Sequence, residues 1–152
     1  MAQPVIHPLY RFWFKWLDPF TLLFAVYGLI FTPELVLDVF IPASLSTYNR
    51  DQGFLFHQLA ALYAFVGIML GGMLRVSHEL KAWRLVVAAV LLVDIGILSS
   101  IYISLKEQNR MHMEAIRPEE LGNILFTAFI AILRVSFLAG VGVQDAPKQK
   151  SA

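Results

Sequence analysis

Polar residues break the apolar character of this chain at only a few places. Between the breaks lie four long apolar stretches: Phe20 to Ile41, Phe54 to Leu74, Trp83 to Leu105 and Leu121 to Val143. Crossing a hydrocarbon core of about 30 Å takes about 20 mostly apolar residues in a helix, and each stretch is long enough. The connections, residues 42–53, 75–82 and 106–120, are short and polar. Short connections join antiparallel neighbours. The pattern therefore predicts an all-α fold: a four-helix transmembrane bundle running up-down-up-down, one integral membrane domain over residues 1–152.

Composition agrees with a bilayer partner. Hydrophobic residues make up 58% of the chain and charged residues 15%, against about 45–50% and about 25% in soluble domains. A net charge of +1 provides no basic field for nucleic acid. With no cysteine, thiol nucleophiles, disulfides and cysteine-held metals are excluded. Ahead of the first stretch stands an aromatic-basic segment, Tyr10-Arg11-Phe12-Trp13-Phe14-Lys15-Trp16. It suits the headgroup zone, where amphipathic rings and long cations settle, and it suits equally a docking surface for another protein. The apolar stretch behind it is too long for a cleaved signal peptide, so the first helix is expected to be retained.

An even number of spans puts both termini on one side. Arg11, Lys15, Arg75, Lys81, Arg84, Lys148 and Lys150 lie on that side; Arg50, Lys106, Arg110 and Arg117 lie opposite. Basic residues favour the cytosolic face, so the termini are expected there, in a multi-pass protein of the endoplasmic reticulum or another endomembrane.

Ionisable groups within the spans carry the functional question, because each costs at least about 2.5–3.5 kcal/mol to insert and needs a partner, a wet cavity or a task. At about 1.5 Å per residue, Asp94 and Arg134 fall at about 16 Å and about 13 Å from the terminal face. They can pair at one depth, either as a structural ion pair that fixes helix register or as part of a catalytic site. Asn123, Thr127 and Arg134 are spaced four and seven apart, so they share one helix face; the first two serve equally well as interhelical polar glue. Glu34 and Asp38 share a face beside Pro33, which is expected to kink the first span. Paired carboxyls raise each other's proton affinity, making either a candidate general acid. His57, Gln58 and Tyr102 are expected at the same outer level, giving one polar layer fed by four helices. One histidine in that layer does not make a metal site, and no cofactor is expected. Gly67 and Gly71 form a small-xxx-small pair that suits close helix approach, inside the bundle or between copies in a homo-oligomer.

These residues also carry a resemblance. Tyr10 to Pro19, Phe54-Leu55-Phe56-His57-Gln58-Leu59-Ala60, Trp83-Arg84 with Asp94, and Gly122-Asn123 with Arg134 together resemble a family of small four-span fungal membrane proteins of uncharacterised function. In size and in its intramembrane acids the chain is also similar to small membrane-bound fungal terpene cyclases of meroterpenoid biosynthesis. That similarity implies protonation of a prenyl chain or its epoxide by a buried carboxyl. It is similar more distantly to the four-span sterol isomerases, but carries His57-Gln58 where those have a glutamate. The expected function is acid/base chemistry, a cyclisation or isomerisation, on a lipophilic prenylated or polyketide-type metabolite. Glu34, Asp38 or Asp94 would supply the proton and His57, Gln58, Tyr102, Asn123, Thr127 and Arg134 would support it. The alternative is a non-enzymatic scaffold, chaperone or small carrier subunit, in which the same polar residues bind helices together.

Overall fold

The computed structural model describes residues 5–144; Lys148 and Lys150, used in the topology count, lie outside them. Five helices carry the fold: α1 (Pro8–Phe31), α2 (Pro33–Phe40), α3 (Arg50–Val76), α4 (Leu80–Glu107) and α5 (Pro118–Leu138). All but the short α2 are long and apolar enough to cross a membrane. Large apolar side chains stand outward along each of the four, including Leu23, Leu62, Leu92 and Ile132, as helices solvated by lipid require.

The first span differs from the expected one. It runs from Pro8 to Phe31 instead of Phe20 to Ile41. Pro8 occupies the first helical position, where its missing N–H costs nothing. At the far end the residue before Pro33 is barred from helical geometry; Thr32 sits at φ −137°, ψ 53°, and α2 starts afresh as a separate helix. Gly28 makes this fold-back possible: a Cβ there would lie 2.9 Å from Val36 Cγ2. Gly28→Ala is therefore expected to lower thermal stability in detergent by about 1–3 kcal/mol through overpacking, with Val36→Ala restoring it in the double variant. Melting of the single variant at the wild-type temperature would contradict this packing.

The aromatic-basic segment belongs to α1 and is split by it. Tyr10 and Phe14 face inward, 5% and 0% exposed, while Phe12 and Trp16 stand outward at 56% and 60%. Tyr10 stacks on Phe14 at 5.8 Å between ring centres, and both rings meet Phe137 of α5 edge-on, at 5.4 and 5.6 Å. With Leu70, Leu74, Trp83 and Val87 they form a close-packed core at the terminal end of the bundle. At this end Val5–Ile6 pairs antiparallel with Val143–Gln144. Gly140 and Gly142, at φ +85° and +68°, turn the chain from α5 into the second strand through a backbone region that glycine enters without strain. Both described ends of the chain thus lie at the same end of the bundle.

Two helices contain a π-turn, Trp13–Leu17 in α1 and Met69–Met73 in α3, and the two turns pack against each other. Pro19 follows the first and has no N–H for the Lys15 carbonyl one turn back. Arg75 Nη2 donates to that oxygen at 2.8 Å instead, satisfying a backbone acceptor that hydrocarbon cannot. Gly67 and Gly71 lie on the same α1–α3 seam: a Cβ on them would lie 3.8 Å from Leu22 and 3.4 Å from Pro19. Both are ordinary contact distances, so the seam has room for a methyl at either position.

Candidate functional site

One helical turn above the aromatic core, three ionisable side chains meet. Asp18 follows Phe14 by four residues on α1, Asp94 follows Val90 by four on α4, and Arg134 precedes Phe137 by three on α5. Arg134 bridges the two acids: Nη2 donates to Asp18 Oδ2 at 2.7 Å and Nη1 donates to Asp94 Oδ2. The side chains of Asp18, Arg134 and Asp94 are 3%, 4% and 10% exposed. Trp13 Nε1 adds a hydrogen bond to Asp18 Oδ1 at 2.9 Å. Residues five apart lie about 140° apart around a regular α-helix. The wider π-turn brings Trp13 and Asp18 to one side, because its repeat is i to i+5.

The structure therefore brings Asp94 and Arg134 together and adds Asp18, a residue of the Tyr10–Pro19 segment to which the sequence alone assigns no role. The trio holds two carboxyls for one guanidinium. Arg134 Nε is buried and has no partner among the described residues, so the centre keeps one donor unused.

Above the trio the bundle does not close. A cavity of about 150 Å³ lies between all four spans, lined by Asp18, Asp94, Arg134, Asn123 and Thr127, with Tyr63 entering from α3. The side chains of Asn123, Thr127 and Tyr63 make no hydrogen bond among the described residues. Polar groups at membrane depth that are left unpaired by the protein are costly; here they surround space instead of each other.

The single polar layer fed by four helices is not what the structure builds. Glu34 and Asp38 ride on α2, which the break at Thr32 detaches from α1. They line a separate pocket of about 300 Å³ with Ser46, Thr47 and Tyr48, beyond the spans. Asp38 Oδ1 accepts from the Ala43 N–H at 2.9 Å and from Arg117 Nη1 at 3.2 Å, and its main-chain oxygen accepts from Arg117 Nη2. These bonds use Asp38 to fasten α2 to the start of α5. His57 and Gln58 face outward, and Tyr102 is 54% exposed; none of the three reaches the trio's cavity. Asn123 lines both the cavity and a narrow cleft with Val39 and Phe40 of α2.

A second ionic cluster closes the loop end. Glu120, 3% exposed, accepts two hydrogen bonds from Arg110, at 2.9 and 2.6 Å, and one from the Arg117 N–H at 2.9 Å. Arg110 also donates to the Ala115 carbonyl at 2.7 Å. Its hydrogen bonds to Glu120 hold the guanidinium pKa above its ordinary value. Arg110 and Glu120 are engaged with each other and with loop backbone, the pattern of a structural clip, while Arg117 Nε is buried without a partner among the described residues.

The fold and the buried trio define a multi-pass, four-span membrane protein with an Asp–Arg–Asp centre between its helices. The chain belongs to the family described as Domain of unknown function (DUF7704), whose model matches residues 3–144. No curated protein and no solved structure matches the sequence.

Proposed function

We propose that the protein is a membrane enzyme performing acid/base chemistry, a cyclisation or isomerisation, on a lipophilic metabolite of prenyl or polyketide type, with Asp94 as the acid. The observation that carries this reading is the cavity at the trio. A purely structural ion cluster gains by being sealed, since every neighbouring polar group left without a partner in hydrocarbon adds cost. Here a polar space remains against Asp94, Arg134, Asn123 and Thr127.

Roles follow from the contacts. Asp18 is held by both Arg134 and Trp13, whereas Asp94 is held by Arg134 alone among the described residues. Asp94 is accordingly the freer carboxyl. One proton on either acid makes the trio formally neutral, and that proton is the one available to an alkene, epoxide or carbonyl in the cavity. Arg134 keeps the remaining charge paired as the proton leaves and returns. Asn123, Thr127 and Tyr63 offer hydrogen bonds to orient a polar group of the substrate. Glu34 and Asp38 have no part in this step.

The test uses space instead of charge. Thr127 lines the cavity and is 7% exposed; Thr127→Leu fills it while leaving all three ionic partners in place. In membranes from cells expressing the full chain, incubated with a panel of prenylated aromatic substrates, the wild type is expected to yield a new isomeric product. Thr127→Leu, at equal abundance, is expected to lose at least about tenfold in yield, a loss that corresponds to about 1.4 kcal/mol in the barrier. Equal yields from both, or no conversion above membranes lacking the protein, would favour the scaffold alternative.

A further inference from the structure

We propose that the groove between α1 and α3 binds a single-chain anionic amphiphile: one long hydrocarbon tail ending in a carboxylate head. This deepens the reading above and rests on it only for what happens at the tail's far end. The groove has a volume of about 440 Å³, inside the range of about 300–1,000 Å³ typical of small-molecule sites. Its walls are apolar, with Leu22, Leu23 and Val26 on α1 facing Ala64, Gly67 and Ile68 on α3. The glycines set its depth.

The two ends of the groove are chemically different. At the terminal end stands Arg75, whose guanidinium stacks over Trp16 at 4.2 Å. Arg75 forms no salt bridge among the described residues, and with its Nη2 donating to the Lys15 carbonyl its Nη1 is left to meet a ligand. A guanidinium with no carboxylate partner at the mouth of an apolar groove complements an anionic head over a hydrocarbon tail. At the other end, Leu22 and Tyr63 line the groove and the trio's cavity alike. Arg75 to Tyr63 is about 18 Å of helix, so a tail anchored at Arg75 ends beside Asp94's chamber.

A second copy of the chain fits this groove poorly. A symmetric pair would set the Arg75 guanidinium against its own image.

Binding of a fluorescent long-chain fatty acid to the full chain in nanodiscs of zwitterionic lipid tests the proposal directly. Saturable binding is expected for the acid, with its uncharged methyl ester about tenfold weaker, the worth of a charge-assisted hydrogen bond. Arg75→Gln is expected to erase the difference between acid and ester. Gly72→Leu is expected to abolish binding of both; Gly72 lines the groove and an added Cβ meets only Ile68 of its own helix. Asp94→Asn is expected to bind the acid like the wild type, which separates this result from the fate of the catalytic reading. The proposal is overturned if acid and ester bind alike to the wild type, or if Gly72→Leu binds normally. It is overturned equally if phosphatidylglycerol in the disc displaces the acid, or if the groove instead proves to be buried in a cross-linkable dimer.

Discussion

Arg134→Met is expected to be the most destabilising single substitution in the polar centre. It removes the guanidinium that lies between Asp18 and Asp94 and leaves two carboxyls within the bundle, one of them with only Trp13 as donor. Removing one partner from a buried ionic set typically costs about 3–5 kcal/mol, because the remaining charge stays buried without compensation. Domains hold only about 5–15 kcal/mol in total, so this one change consumes a large share of the margin. The check is thermal unfolding in detergent, followed by monodisperse yield. A triple variant, Asp18→Asn, Asp94→Asn and Arg134→Met, removes the charges together and is expected to recover most of the loss, since replacing a whole buried ionic set is often neutral. Wild-type melting of Arg134→Met alone would mean that the trio contributes little to the fold.

What the sequence made legible here, and what it hid, follows from the solvent. Length and hydropathy reveal four spans, because a helix must be apolar for about 20 residues to cross. Depth along a straight helix then brings Asp94 and Arg134 to one level, and the structure pairs them. Which side of each span faces inward is harder to read. In lipid the outer face is as apolar as the inner one, so the contrast that marks a buried face in a soluble helix is lost. Level alone puts His57, Gln58 and Tyr102 in one polar layer with the other spans' groups, whereas in the structure all three are exposed.

From the sequence Pro33 reads as a kink in a continuing span, whereas with Thr32 it ends the span, and Glu34 and Asp38 leave with the new helix. The same misplacement hid Asp18. With the span starting at Phe20, Asp18 sat at the membrane surface and needed no partner. With the span starting at Pro8, it lies midway through the helix. A hydropathy window begun at Pro8, tolerating Arg11, Lys15 and Asp18, is the signal that finds it. The π-turn that turns Trp13 onto Asp18 leaves no comparable mark, since its residues satisfy ordinary helical spacing until the backbone widens.

Asp94→Asn is expected to separate chemistry from folding. Without the Asp94 charge, Arg134 and Asp18 still form a balanced pair at 2.7 Å, and an asparagine amide oxygen still accepts from Arg134 Nη1. Abundance and melting should stay close to wild type. Proton delivery, however, is lost with the carboxyl, and a positioned general acid contributes about 10²–10⁴-fold to a rate. Glu34→Gln and Asp38→Asn serve as matched controls, because both residues lie in the separate α2 pocket. They change the same functional group without touching the trio.

The decisive measurement is product formation per molecule of folded protein in membranes carrying wild type, Asp94→Asn, Asp38→Asn and Glu34→Gln. The account predicts turnover reduced at least about 100-fold in Asp94→Asn alone, at unchanged abundance, with the other two variants near wild type. Turnover surviving in Asp94→Asn, or vanishing instead with Glu34 or Asp38, would contradict it and move the chemistry out of the cavity between the spans.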